Sequence, residues 1–263
     1  MNANRRYFLK VAGLSTFALA AGAGASAAKA VTAAKEAGDG SYKVSEQAVH
    51  GKRFAMVIDT RKFETEEDML PIIEACHKFH NVPKIDGAKE IKWIWHDSFH
   101  HTFVDDTSPL IPDEVKNRPY FMLCNHCTNP SCVRVCPTKA TYLTSQNLVA
   151  IDYHRCVGCR FCMAACPYGS RSFNFTDPRQ YIKPEDLNYE YPSRMRGVVE
   201  KCTFCAERLE LGKLPLCVEA SNGAILFGDL NDPESDVRQA LAENFTIRRK
   251  PALGTDPGVY YII

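Results

Sequence analysis

The cysteines of this 263-residue chain are arranged for metal ligation: eleven of the twelve fall into three tight blocks. The middle block carries Cys156, Cys159, Cys162 and Cys166 followed by Pro167, a C-x2-C-x2-C-x3-C-P run. That spacing suits a cubane iron–sulfur cluster. The first three thiolates hold three irons of one cluster, and the fourth reaches a different cluster. A second run is therefore expected. Cys124, Cys127, Cys132 and Cys136 before Pro137 supply it, with two extra residues between the second and third cysteines. Crosswise pairing gives one ligand set of Cys124, Cys127, Cys132 and Cys166 (set a). It gives another of Cys156, Cys159, Cys162 and Cys136 (set b). Zinc ribbons use separated pairs of cysteines, not triplets closed by Cys-Pro. A disulfide framework matches such packed triplets no better.

Four cysteines remain: Cys202, Cys205 and Cys217 in the third block, and Cys76 alone. Internal repetition tells how to read them. LVAIDYHRC, ending at Cys156, matches AMVIDTRKF, ending at Phe63. CVRVCPTKA, from Cys132, matches CVEASNGA, from Cys217. Phe63 thus stands where a first ligand would be, and Ser221 where Cys136 is. The chain reads as four half-motifs in two pairs. The outer pair has lost one complete ligand set, at Phe63, residues 64–70 and Ser221. The surviving outer positions, Cys202, Cys205, Cys217 and Cys76, form set c. Twelve cysteines then serve three [4Fe-4S] clusters with none left over. The competing reading makes Cys76 an inert buried thiol, with a three-iron cluster on the other three.

The elements that position these residues are short. The acidic run Glu66–Asp68 starts a helix with Pro71 in its first turn. Ile72, Cys76 and Phe79 share one face at i, i+4, i+7, turning the thiol inward. Phe54–Ile58, Lys92–Trp95, Leu148–Ile151 and Ile225–Phe227 read as strands. Asp232-Pro233 opens a helix whose apolar face is Val237, Leu241 and Phe245. Between these lie long loops, for which metal–ligand bonds supply folding energy. The expected fold is α+β. One half, residues 112–185, is inserted into another made of residues 49–111 and 186–235. Residues 236–263 form a closing helix and a tail lying on the surface.

Arg5-Arg6 precedes an apolar stretch rich in Ala and Gly, with an Ala-x-Ala site at Ala28–Ala30. Residues 1–30 therefore read as a twin-arginine export signal, and residues 31–48 as a linker. The expected location is the periplasm or the outer face of the cytoplasmic membrane. The alternative is retention of Val11–Ala30 as an anchor, since the stretch is long enough to span but only mildly hydrophobic. No later run of eighteen apolar residues follows. A net charge of +1 without a basic, aromatic-interleaved stripe excludes a nucleic-acid binder.

No catalytic constellation is visible. Ser145 and Ser170 lack a motif, and Asp105-Asp106 and Glu66-Glu67 read as solvated faces. Cys76-His77 has Ile73 where a haem-attachment motif needs a second cysteine. His96, His100 and His101 read as surface or interface residues. The expected role is to carry electrons, with Arg134, Arg155, Arg160 and Lys201 influencing the potentials through local charge.

The stretches CNHCTNPSCVRVCPTKAT, HRCVGCRFCMAACPYGSRSFNF, KCTFCAERLELG and NFTIRRKPALGTDPGVYYII resemble the iron–sulfur subunits of membrane-bound respiratory oxidoreductases. These are the subunits of dimethyl sulfoxide, polysulfide and NrfC-type nitrite reductase systems, and within them the DsrO type of the DsrMKJOP complex is most similar. The resemblance implies tandem dicluster-ferredoxin-like halves. It implies an NrfD-type, quinone-interacting membrane subunit and a multihaem cytochrome c as partners, in a sulfite-linked complex. The chain departs from four-cluster relatives by its missing outer ligand set, so one end of the usual electron wire is absent.

Overall fold

The computed structural model describes residues 45–106 and 108–263. The compact unit runs from Glu46 to Ile263. The export signal and most of the expected linker lie outside the described residues. Ala48, at the linker's end, is buried, and the Val49 amide bonds the Leu209 carbonyl at 2.8 Å.

The strands are β1 (Phe54–Asp59), β2 (Ile94–Asp97), β3 (Tyr120–Leu123), β4 (Thr141–Leu143), β5 (Val149–Ile151), β6 (Ser172–Phe173), β7 (Val199–Glu200), β8 (Ile225–Asp229), β9 (Thr246–Ile247) and β10 (Val259–Ile262). The largest sheet has the order β8-β1-β10-β9. β1 is apolar on both faces because both are covered. Phe54, Met56 and Ile58 face the aromatic core, while Ala55 and Val57 pack with Val237 and Ala240 of the helix Asp236–Glu243.

The tail does not lie on the surface. β10 pairs in parallel with β1, Met56 opposite Val259 and Ile58 opposite Tyr261. Val259 and Tyr261 are fully buried. β8 occupies only one edge of β1. The β-branched and aromatic run Val259–Ile262 suits the other edge, where it gains a ladder and two covered faces.

One local arrangement occurs twice. β4 and β5 pair antiparallel beside the packed helices Ser131–Arg134 and Phe161–Ala165. β1 and β8 pair antiparallel beside the packed helices Leu70–Phe79 and Leu216–Ala220. In both, the strand leading into one cysteine motif pairs with the strand leaving the other. This is the α+β, dicluster-ferredoxin-like fold expected from the repeats. The antiparallel pairs β2–β3 and β6–β7 flank the two central cysteine motifs.

Several boundaries differ from the sequence reading. The second strand is Ile94–Asp97, two residues later than expected, and the Lys92 amide instead donates to Ser172 Oγ at 2.8 Å. Asp68 accepts from the Glu64 and Thr65 amides and leaves the helix at Leu70 without a side-chain cap. Pro71 sits in its first turn, where its missing N–H has no helical partner to lose. Phe245 is not on the apolar face of the last helix. The chain turns extended at Asn244, leaving Phe245 exposed while Val237 and Ala240 make the contact.

Candidate iron–sulfur centre

The first C-x2-C loop of each cysteine block turns through a left-handed residue just before its second cysteine. These are His126 (φ 41°), Gly158 (φ 68°) and Phe204 (φ 55°). The turn aims successive thiols to one side. For His126 and Phe204 it costs on the order of 1–3 kcal/mol, which surrounding packing must hold. At Gly158 only glycine fits, since a Cβ would come 2.2 Å from the Gly197 carbonyl oxygen.

These loops bring each expected set of thiols together. In set a, burial pushes the Cys127 thiol up to about 12, and the charges of Cys124, Cys166 and Cys132 add to the shift. Cys166 is raised in the same way, by burial and then by Cys124 and Cys132. In set b, Cys136, Cys156, Cys159 and Cys162 line one cavity with Thr138 and Thr141. Burial acts to raise Cys136, but hydrogen bonds from Thr141, Thr138 and Ala140 together hold it below the usual range. In set c, burial pushes Cys76 far up, and the charges of Cys205, Cys202 and Cys217 act on it next. All four set c cysteines are buried.

The donor chemistry fits iron–sulfur clusters. Each set offers four sulfurs and no disulfide links any of the twelve. Burial keeps a free thiol protonated, whereas a coordinated metal ion deprotonates it outright. Amide donors toward sulfur favour the thiolate, as from Phe204 to Cys202 (3.4 Å) and from Thr141 to Cys136 (3.5 Å). A bound cubane supplies one reversible electron, at a potential set by charge, hydrogen bonds to sulfur and exposure. His80 and Glu207 come near Cys205. Their polar atoms are engaged with each other at 2.8 Å, and His80 Nδ1 with the Cys76 carbonyl at 2.7 Å. They brace the set c loops.

The sets follow one another in space. Cys132 of set a is near enough to Cys162 of set b for their charges to interact. Cys124 of set a acts likewise on Cys202 of set c. Set a therefore neighbours both of the others. Set b reaches the surface, where Cys159 is exposed beside exposed Val157 and Phe161.

Of the positions assigned to the erased set, Phe63, Met69 and Ser221 are buried, while residues 64–68 and Leu70 are exposed. Phe63 is buried with its ring edge-on to Phe121, centroids 5.0 Å apart. Ser221 Oγ donates to the Val218 carbonyl at 2.8 Å and accepts from the Ile225 amide at 2.9 Å.

Buried polar groups flank the sets. Lys201 Nζ donates to the Val149 and Cys202 carbonyls, at 2.5 and 2.7 Å. His126 Nδ1 accepts from the Val149 amide, so Nε2 carries the proton toward the Cys202 carbonyl, 3.1 Å away. Burial, then the Lys201 charge, holds this imidazole neutral, and it stacks on Phe204 with centroids 3.9 Å apart. Arg155 pairs with Asp152, and Arg160 lies over Phe173 and Phe175. Arg134, His100 and His101 are exposed and His96 partly so, with His101 bonding Asp97. The sequence reading missed His126 and Arg171. His126 is marked only by lying inside a C-x2-C loop. Nothing local marks Arg171, because the groups it meets come from other segments.

Residues 119–180 match the family described as "4Fe-4S dicluster domain". The chain is 36% identical to the Hdr-like menaquinol oxidoreductase iron–sulfur subunit 1 of Archaeoglobus fulgidus, over 98% of this chain and 97% of that one. It is 41% identical to the menaquinone reductase iron–sulfur cluster-binding subunit of Nitratidesulfovibrio vulgaris, over 72% and 81%. It is 33% identical to the NrfC protein of Escherichia coli, over 81% and 82%. With an end-to-end relative of this similarity, the chain belongs to the family of oxidoreductase iron–sulfur subunits that includes the Hdr-like menaquinol oxidoreductase subunit and NrfC.

Proposed function

We propose that this chain is an exported electron-transfer subunit holding three [4Fe-4S] clusters on sets a, b and c. It relays electrons between a multihaem cytochrome c and an NrfD-type, quinone-interacting membrane subunit. The complex is of the DsrMKJOP kind, serving sulfite-linked metabolism, with this chain in the DsrO place. The observation that carries the reading is the succession of three four-thiol sets, set a next to both others. Neighbouring ligands within charge–charge reach suit one-electron hops, and the exposed set b loop is the face for exchange with a partner. The menaquinol- and menaquinone-linked names of the relatives support the quinone side. Arg5-Arg6 supports export of a protein that has folded around its clusters. No helix of the described residues is long and apolar enough to cross a membrane.

The test is purification of the tagged full-length chain from native membranes, with its partners identified and haem measured. Co-purification of a c-type cytochrome and a polytopic quinone-reactive subunit is expected. Co-purification with a molybdenum-cofactor subunit instead makes this the electron-transfer subunit of another membrane oxidoreductase. A colourless protein holding zinc makes it an interaction module.

A further inference from the structure

Arg171 is almost entirely buried, 4% exposed, in the wall between sets a and b. Its Nη2 donates to Cys132 Sγ at 3.0 Å. Its Nη1 donates to Thr141 Oγ1 at 3.1 Å, and the Thr141 amide in turn points at Cys136 Sγ, 3.5 Å away. One guanidinium thus touches a set a sulfur directly and a set b sulfur through a single residue. Cys162, Cys124 and Cys166 also lie within reach of its charge. Among the described residues no carboxylate pairs with it. A buried arginine without a carboxylate is costly, and here the negative partners are cysteine sulfurs. Among the described residues no arginine bonds a set c sulfur: His80 Nδ1 lies 3.5 Å from Cys76 Sγ but its Nε2 meets the Glu207 carboxylate, and Lys201 Nζ donates to carbonyl oxygens.

We infer that Arg171 is a shared positioning and tuning residue for the two neighbouring clusters, raising both reduction potentials together relative to the third. The inference rests on the reading that sets a and b each hold a cubane. Each step adds one electron to an oxidised core and no proton. The added negative charge is stabilised by a fixed cation and by a hydrogen bond to ligand sulfur, two factors that set cluster potentials.

The test is an EPR-monitored redox titration with dithionite and mediators, run on the full chain with iron measured on the same samples. Arg171→Gln removes the charge and Arg171→Lys keeps it without the fork. Two of three signals are expected to shift to lower potential, further in Arg171→Gln than in Arg171→Lys, with the third unmoved. If both variants lose iron, Thr141→Val unhooks the guanidinium while sparing the amide donor and every ligand, and the same two signals must shift. Unchanged potentials with full iron, or an equal shift of all three, overturn the inference. Iron loss in all three variants overturns it as well, by making Arg171 purely structural. Wild-type protein without cubane signals fails the underlying reading instead.

Discussion

Ser221 and Cys76 stand at matching steps of two motifs, and their surroundings give them opposite roles. Ser221 spends its hydroxyl on two backbone groups that close the turn into β8. Ser221→Ala should therefore leave iron content unchanged and lower stability by about 1–2 kcal/mol, read from thermal melts of the holoprotein. Loss of a cluster would instead make it a ligand. Cys76 sits buried among the charges of three other thiols. Cys76→Ala should reduce iron from about twelve to about eight per chain while two cluster signals persist. Full iron retention would leave Cys76 a core thiol. Internal repetition suggested these roles in the sequence, because Phe63 and Ser221 fall where the matching phrases carry cysteines. Arg171 and His126 were not legible, because their partners are distant in the chain.

Elements joined across long separations hold the ligand loops still. Glu200 in β7 is fully buried and accepts from Arg194, from Trp93 Nε1 at 2.7 Å and from Asn174 Nδ2 at 2.5 Å. Arg194 also donates to the His80 and Asn81 carbonyls that follow the Cys76 helix. Arg194→Met leaves that carboxylate without its cation and should cost about 3–5 kcal/mol, measured by denaturant unfolding. β10 is the second such element. Tyr261→Phe removes only the hydroxyl that donates to the Phe121 carbonyl at 2.9 Å. A loss of about 1 kcal/mol is expected in the same assay. β1 and the Leu70–Phe79 helix could be read from apolar runs and a first-turn proline. β10 could not be placed, since its mate lies some two hundred residues upstream and a short apolar tail carries no sign of parallel pairing. Phe245 misled for a related reason: it continues the helical period, but the backbone leaves the helix one residue earlier.

At the scale of the molecule, strands of two to six residues and helices of four to ten surround three groups of thiols. Several of those cysteines are themselves part of the largest core. Metal ligation is then folding energy. Stripping the iron with chelator under oxidation should collapse the far-ultraviolet and near-ultraviolet circular dichroism together, whereas a fold independent of its metal would keep both. The tandem plan was legible because similar phrases of eight or nine residues recur in the sequence. The order of the sets in space was not, because it depends on how segments distant in the chain pack together. The most direct measurement of the central claim is iron and acid-labile sulfide per chain in anaerobically purified protein. About twelve of each is the expected result for three cubanes. Values near eight, or zinc in place of iron, would contradict it.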